Sequence, residues 1–318
     1  MNELLVIEQR RGDRDGARWI RDGGRIVRGH DDNRRLTELR RGLGRHPHVR
    51  TAPTAVCDEH LEGVLRTLHD PQYLDALARV RGDRPVLLPE LAPPGLAPDI
   101  PVCAGLVAAA REAVRTAIAA ARRTLAGARL TYALCRPPGH HAGPRWMGGY
   151  CYLNNAGAAA RALEDGGCGT VGILDLDLHY PNGTAAIAAT MPQVSIHSLH
   201  AWPVPNVAGQ TALPQTGRER VVQFVRAPDG ATYLAAVGDA LRALAGCAAL
   251  VLSLGYDTVA GDPHGGWAFA PAMFARIGRL LAASGLPVCI VQEGGYALPT
   301  LAPCSYALAS GLLAKGTP

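Results

Sequence analysis

Residues 171–184 read VGILDLDLHYPNGT. The four leading residues are apolar, and a short apolar run closed by polar residues is what a strand buried on both faces of a parallel sheet leaves in a sequence. Asp175, Asp177 and His179 follow at alternate positions, so in extended chain their side chains leave on one side. Ligands of open α/β sheets bind beyond the carboxyl ends of the strands, and two carboxylates with an imidazole at that place have the chemistry of a divalent metal site. One Asp near a strand end is ordinarily a helix cap or a turn residue. Three converging donors are a different case, because without a cation they repel one another or lose solvation.

On both sides of this stretch, strands alternate with helices. Leu4–Glu8 reads as a first strand, 10–30 as a long charged loop, 33–43 as a helix, and 58–80 as two short helices split at Pro71. Residues 82–101 are so rich in proline that they form a loop, long enough to act as a lid or rim. A helix over 103–126, a strand over 130–135 and a helix over 156–164 lead to the central stretch. Beyond it come a helix near 185–189, a strand over 193–198, a loop to Gly217, a strand over 221–226 and a helix over 232–244. A strand over 249–255, a helix over 271–283, a strand over 287–293 and a last helix complete the order. This alternation predicts an α/β fold with one mostly parallel sheet of about eight strands and helices on both faces. No repeat and no linker interrupts it, so 1–318 is expected to be one catalytic domain.

Composition narrows the class. Apolar residues make up 48% but aromatics only 5%, so the core must be built from Ala, Val and Leu. There is no run of 18 apolar residues, and MNELLVIEQRR is not a signal peptide, which predicts a soluble cytoplasmic protein without a membrane partner. The eight cysteines are scattered, several inside apolar runs such as SGLPVCIVQ, and read as reduced core residues rather than a disulfide framework or zinc module. The net charge of +5 is modest, and its densest part, residues 10–50, also holds acids, so no nucleic-acid partner is expected.

The strands of the second half end in polar motifs: RPPGHH after 130–135, DLDLH after 171–174, GYDT after 249–254, and EGGY after 287–292. If the strands are parallel, these turns share one edge of the sheet. Asp177, His179 and Asp257 would then give three ligands that leave an open position on a tetrahedral Zn²⁺ for water and a substrate carbonyl. His140 and His141 can act as general base and acid. Asp175 and Asn182 are placed to hold their far ring nitrogens, and the Tyr296 hydroxyl can donate to an oxyanion.

RPPGHHA, GGYCYLNN, DLDLH, GYDT and EGGY, in this order and at these intervals, resemble the zinc-dependent histone deacetylase and acetylpolyamine amidohydrolase family, which has an arginase-like α/β fold. The likeness covers about residues 30–300. It implies one catalytic Zn²⁺ on Asp177, His179 and Asp257, His140 and His141 at the metal-bound water, and Tyr296 polarising the amide carbonyl. It also implies Asp175 as the partner of His140 and Asn182 at the partner position of His141, which would leave His141 freer to be charged. Gly149 and Tyr150 fall on the family's tunnel wall, where Phe is commoner than Tyr. Val204 falls on the opposite wall, where an aromatic is usual, with Trp202 as its substitute, and Asp99 matches a rim acid. Asp175, Ser195 and backbone carbonyls near Asp177, His179 and Ile196 resemble the family's structural K⁺ site.

Three departures stand out: Tyr180-Pro181 replaces His-Gly, His264-Gly265 replaces Leu-Gly, and no His-Pro precedes Arg35-Leu36. None removes a ligand, a histidine of the pair or the tyrosine. The expected function is removal of an acetyl or similar acyl group from an amine, with an acetylpolyamine, an acetyl-lysine or another acylated small molecule as substrate. A homodimer is compatible with this reading. The alternatives are a non-catalytic sensor of acylated ligands, which predicts a broken ligand set, and a two-manganese ureohydrolase, which needs further bridging carboxylates. The high Ala, Arg and Gly content is that of a GC-rich bacterial coding sequence and argues against nucleosomal histone as the target.

Overall fold

The computed structural model describes residues 3–10, 19–201 and 218–314. Its main sheet contains β1 (Leu4–Glu8), β4 (Val49–Pro53), β5 (Leu130–Leu134), β6 (Val171–Asp175), β7 (Val194–Ala201), β8 (Glu219–Phe224), β9 (Ala249–Leu254) and β10 (Val288–Gln292). They lie in the order β4-β1-β5-β10-β9-β6-β7-β8, and every neighbouring pair is parallel. The four central strands, β5, β10, β9 and β6, are buried at every position, the reason they read as apolar runs rather than as alternating ones.

Alternate side chains enter two separate cores. On β9, Ala249 and Val251 join a cluster closed by α2 (Asp58–Leu68), α3 (Pro71–Arg79), α4 (Ala104–Leu125), α5 (Asn155–Asp165) and α6 (Asn182–Ala188). Leu250, Leu252 and Leu254 join the other, closed by α1 (Arg34–Leu43), α7 (Gly230–Ala243), α8 (Ala272–Ala283) and α9 (Leu298–Leu312). Each fully buried Val, Leu or Ile contributes about 1.5–3 kcal/mol, and with both faces covered the carboxyl edge of the sheet is a rigid platform. No helix among the described residues is long and apolar enough to cross a membrane.

Several segments differ from the sequence reading. Within the expected loop of residues 10–30, β2 (Trp19–Asp22) and β3 (Arg25–Arg28) form an antiparallel hairpin, turning on Gly23 and Gly24 at φ 51° and 82°. A Gly-Gly pair is a hairpin signal because both central residues need positive φ, but the charged flanks masked it. β4 was not anticipated either. Its sequence VRTAP shows no apolar run, since β4 pairs only with β1, at the edge of the sheet, and ends in a proline that cannot donate to the ladder. The last parallel strand also sits two residues earlier than 221–226, leaving Val225 outside it and 74% exposed.

Close helix packing on the second face depends on glycine. A Cβ on Gly311 would collide with the Ala275 carbonyl, and one on Gly278 would lie 2.6 Å from Leu308 O. Gly311→Ala is therefore expected to destabilise the protein by about 1–3 kcal/mol through overpacking. A fall in the urea midpoint with an unchanged far-ultraviolet CD spectrum would show it; an unaltered midpoint would mean that α8 and α9 are not held this tightly.

Candidate active site

The four turns that carry polar motifs follow β5, β10, β9 and β6, which are immediate neighbours in the sheet. Asp177 and His179 from the β6 turn meet Asp257 from the β9 turn, with one ligand atom from each within 4.8 Å of the others. His179 Nδ1 stands 3.0 Å from Asp177 Oδ1 and 3.0 Å from Asp257 Oδ2. Backbone amides fix both carboxylates. Asp177 accepts from Gly294 N at 2.9 Å and His179 N at 3.0 Å, and Asp257 accepts from Leu178 N at 3.1 Å. Two glycines make the space: a Cβ on Gly294 would lie 2.6 Å from Asp177 Oδ2 and 2.7 Å from Asp257 Oδ2, and one on Gly255 would collide with the Asp177 carboxylate.

The electrostatics of the cluster call for a cation. Burial raises Asp257, and the nearby Asp177 charge raises it further, to about 7. Burial opposes a charge on His179, yet its bonds to Asp177 and Asp257 outweigh that and carry it up to about 10. Two carboxylates and an imidazole converging in a buried space are a donor set that suits a divalent ion. The residues present therefore fit a metal.

His140 and His141 lie beside this cluster, their ring centroids 4.1 Å apart. His140 Nδ1 is 3.4 Å from Asp175 Oδ2 and its Nε2 is 3.6 Å from Asp177 Oδ1; burial opposes its charge, but Asp177 and Asp175 raise it to about 10. His141 Nδ1 donates to Asn182 Oδ1 at 2.7 Å. Burial and then the charges of His140 and His179 push His141 well below the ordinary imidazole range, against the expectation that it is freer to be charged, although its bond to Asn182 acts in the opposite direction.

Tyr296, 8% exposed, sits on the turn after β10. Its backbone N and that of Ala297 donate to Asp262 Oδ2 at 2.6 and 3.0 Å, while Arg35 lies with its guanidinium carbon 4.6 Å from the Tyr296 ring centroid. Arg35 is 1% exposed and donates to Asp31 and to the carbonyls of Glu293 and Gly295. Sequence reasoning assigned none of Asp31, Arg35, Asp262 and Glu293 to the site. Arg35-Leu36 and EGGY were visible, but their polar partners lie in turns far apart in the chain.

On the wall, Gly149 has φ 55°, and a Cβ there would collide with the His141 ring. Asp99 Oδ2 accepts from Gly149 N at 2.8 Å. Tyr150, at φ 66°, accepts from His30 N at 3.0 Å and places its hydroxyl 3.1 Å from His264 Nε2. Its ring centroid is 5.4 Å from that of Tyr296 and His264's is 4.8 Å from it. With the Tyr150 oxygen accepting from His30, its proton is free for His264, whose basicity burial and then His30 lower to about 4. Trp202 and Val204 lie outside the described residues.

A model of the histone deacetylase domain matches residues 31–312. The chain belongs to the histone deacetylase family. This is a family of hydrolytic deacetylases. The chain is 34% identical to acetylpolyamine amidohydrolase 1 of Pseudomonas aeruginosa over 76% of its own length and 79% of that protein's. It is 41% identical to the acetylpolyamine amidohydrolase of Burkholderia pseudomallei over 61% of its length and 59% of the relative's. The crystal structure of acetylpolyamine aminohydrolase from Burkholderia pseudomallei superposes with a TM-score of 0.84 at 30% identity, covering 98% of this chain and 99% of that one.

Within this deacetylase fold the residues expected at K⁺ are not all brought together. Ser195 pairs with Gly172 and Ile196 with Ile173, whereas Asp175 pairs with Ser198. At about 3.3 Å per residue, Ser195 lies about 10 Å before the Asp175 row. The chain carries Ser-x-His twice in succession, and it is the second copy, Ser198-Leu199-His200, that the register sets beside Asp175, Asp177 and His179. Tyr180, in place of the family's histidine, is buried and donates to Glu219 on β8 at 2.6 Å.

Asp257→Ala is expected to reduce bound divalent metal from about one per chain to a small fraction, since an Asp-His pair alone is a weak ligand set. Elemental analysis after dialysis measures this, with CD confirming the fold; full occupancy in the variant would remove Asp257 from the metal site.

Proposed function

We propose that this protein is a zinc-dependent amidohydrolase that removes an acetyl or similar acyl group from a small amine. The observation that carries this is the buried Asp177–His179–Asp257 cluster flanked by a pair of histidines with unlike partners, Asp175 and Asn182. Asp177, His179 and Asp257 would hold Zn²⁺, which supplies Lewis-acid polarisation of the amide carbonyl and a lowered pKa for water. Among the described residues one group of three such donors has ligand geometry, which favours one ion over a two-metal ureohydrolase.

The remaining chemistry falls to side chains. His141 is neutral and its Nδ1 proton is engaged by Asn182, so Nε2 offers a lone pair that can take a proton from the attacking water and return it to the leaving nitrogen. His140, held by Asp175 and drawn toward its charged form, carries the positive charge of the pair and can favour the negative charge that gathers on the reacting carbonyl. Burial raises the Tyr296 phenol well above its ordinary value, so it stays protonated and can only donate, to the carbonyl oxygen as negative charge gathers there. The relatives' names point to acetylated polyamines, and a small acylated amine is the substrate class we assign.

Tyr296→Phe and His141→Ala should each retain zinc and lower kcat by about 10²–10⁴. Zinc-loaded protein assayed on acetylpolyamines, acetyl-lysine peptides and acylated aminosugars measures this, and near wild-type rates in either variant would make the role assignment wrong. If every amide tested were bound without turnover, the sensor alternative would take its place.

A further inference from the structure

Glu293 is fully buried, at 0% exposure, on the turn that carries Tyr296, and no step above uses it. Its Oε2 accepts two backbone donors of the tandem-histidine turn, Gly139 N at 2.6 Å and His140 N at 3.1 Å. Its Oε1 accepts from Ser253 Oγ at 3.3 Å, at the end of β9. The main chain of the same residue is pinned on both sides: its N–H donates to Leu254 O at 2.8 Å, and its carbonyl accepts from Arg35 Nη2 at 2.5 Å. One residue therefore spans the turns after β5 and β10 and the end of β9. We propose that Glu293 is a positioning residue, a strut whose carboxylate fixes the His140–His141 turn at a set distance from the Tyr296 turn.

The geometry accounts for a glutamate at this place. Successive N–H groups of a tight turn need an acceptor, and burying them unpaired costs about 1–3 kcal/mol each. A side chain reaching from the neighbouring strand's turn meets that need and transmits the position of one catalytic turn to the other. Displacement of an acid or base by about 1 Å can cost about 100-fold in rate. The kinetic effect rests on the amidohydrolase reading of this site, whereas the strut itself does not.

Three substitutions separate reach from charge. Glu293→Gln keeps the reach, and its amide oxygen can accept both N–H groups while its NH₂ faces Ser253. Glu293→Asp keeps the charge but is one methylene short, and Glu293→Ala removes the strut. The expected result is that Gln stays within about threefold of wild type, while Asp and Ala lose about 100-fold in kcat with KM and zinc content nearly unchanged. Amide hydrogen exchange gives a readout independent of turnover: the Gly139 and His140 amides should stay protected in wild type and Gln and exchange at least about tenfold faster in Asp and Ala. If Ala does not fold, the contrast between Gln and Asp still decides. Near wild-type rates and exchange in Asp, or Gln as impaired as Ala, would overturn the proposal. A protein that hydrolyses no amide yet loses this protection only in Asp and Ala would instead overturn the amidohydrolase reading and leave the strut standing.

Discussion

Asp177 and Asp257 are buried side by side, and this juxtaposition governs the rest of the structure. Two carboxylates out of water repel strongly, and neither can retreat. Their oxygens are tied to Gly294 N, His179 N and Leu178 N, and the sheet beneath is packed on both faces. The only relief is positive charge placed between them. His179 provides part of it by bridging both carboxylates through a single ring nitrogen, and the three side chains together form a donor set that could hold a metal ion. Glycine at 255 and 294 is part of the same constraint, since any side chain there would enter the carboxylate space.

Around that centre the turn that carries Tyr296 is positioned by buried charges rather than by apolar packing alone. Asp31 neutralises Arg35 and also contacts Arg136. Arg35 in turn gathers the carbonyls of Glu293 and Gly295. Asp262 gathers the amides of Tyr296 and Ala297 on the opposite side of the same turn. Donor and acceptor are thus supplied to a turn that has no secondary structure of its own, satisfying groups that burial would otherwise leave unpaired. Removing one member of such a network leaves its partner charged and buried, so the members act as a unit.

The parallel sheet was legible because its central strands are buried on both faces and must be apolar throughout; β6 and β9 differ from the expected bounds by a residue at most. The convergence of Asp177, His179 and Asp257 with His140 and His141 was legible because each motif ends a strand. What escaped notice did so for physical reasons. The edge strand β4 has no buried face to mark it, and the Arg-rich β2–β3 hairpin carries little apolar pattern. Register is invisible where a motif is duplicated, so Ser195 and Ser198 could be separated only by strand pairing. Side-chain to backbone bonds such as those of Glu293 and Asp262 leave no periodic trace in a sequence at all.

The order β5-β10-β9-β6 has a consequence for biogenesis. β5 and β6 leave the ribosome well before β9 and β10, yet in the finished sheet they never touch. Until the last two strands are threaded into the gap, both present unpaired inner edges, the kind of surface on which nascent chains misassociate. An ion held by Asp177, His179 and Asp257 could not rescue that interval, because Asp257 arrives only with β9. Linkage stabilises only states that bind an ion, so such an ion would secure the completed topology and leave the assembling chain to intrinsic pairing alone.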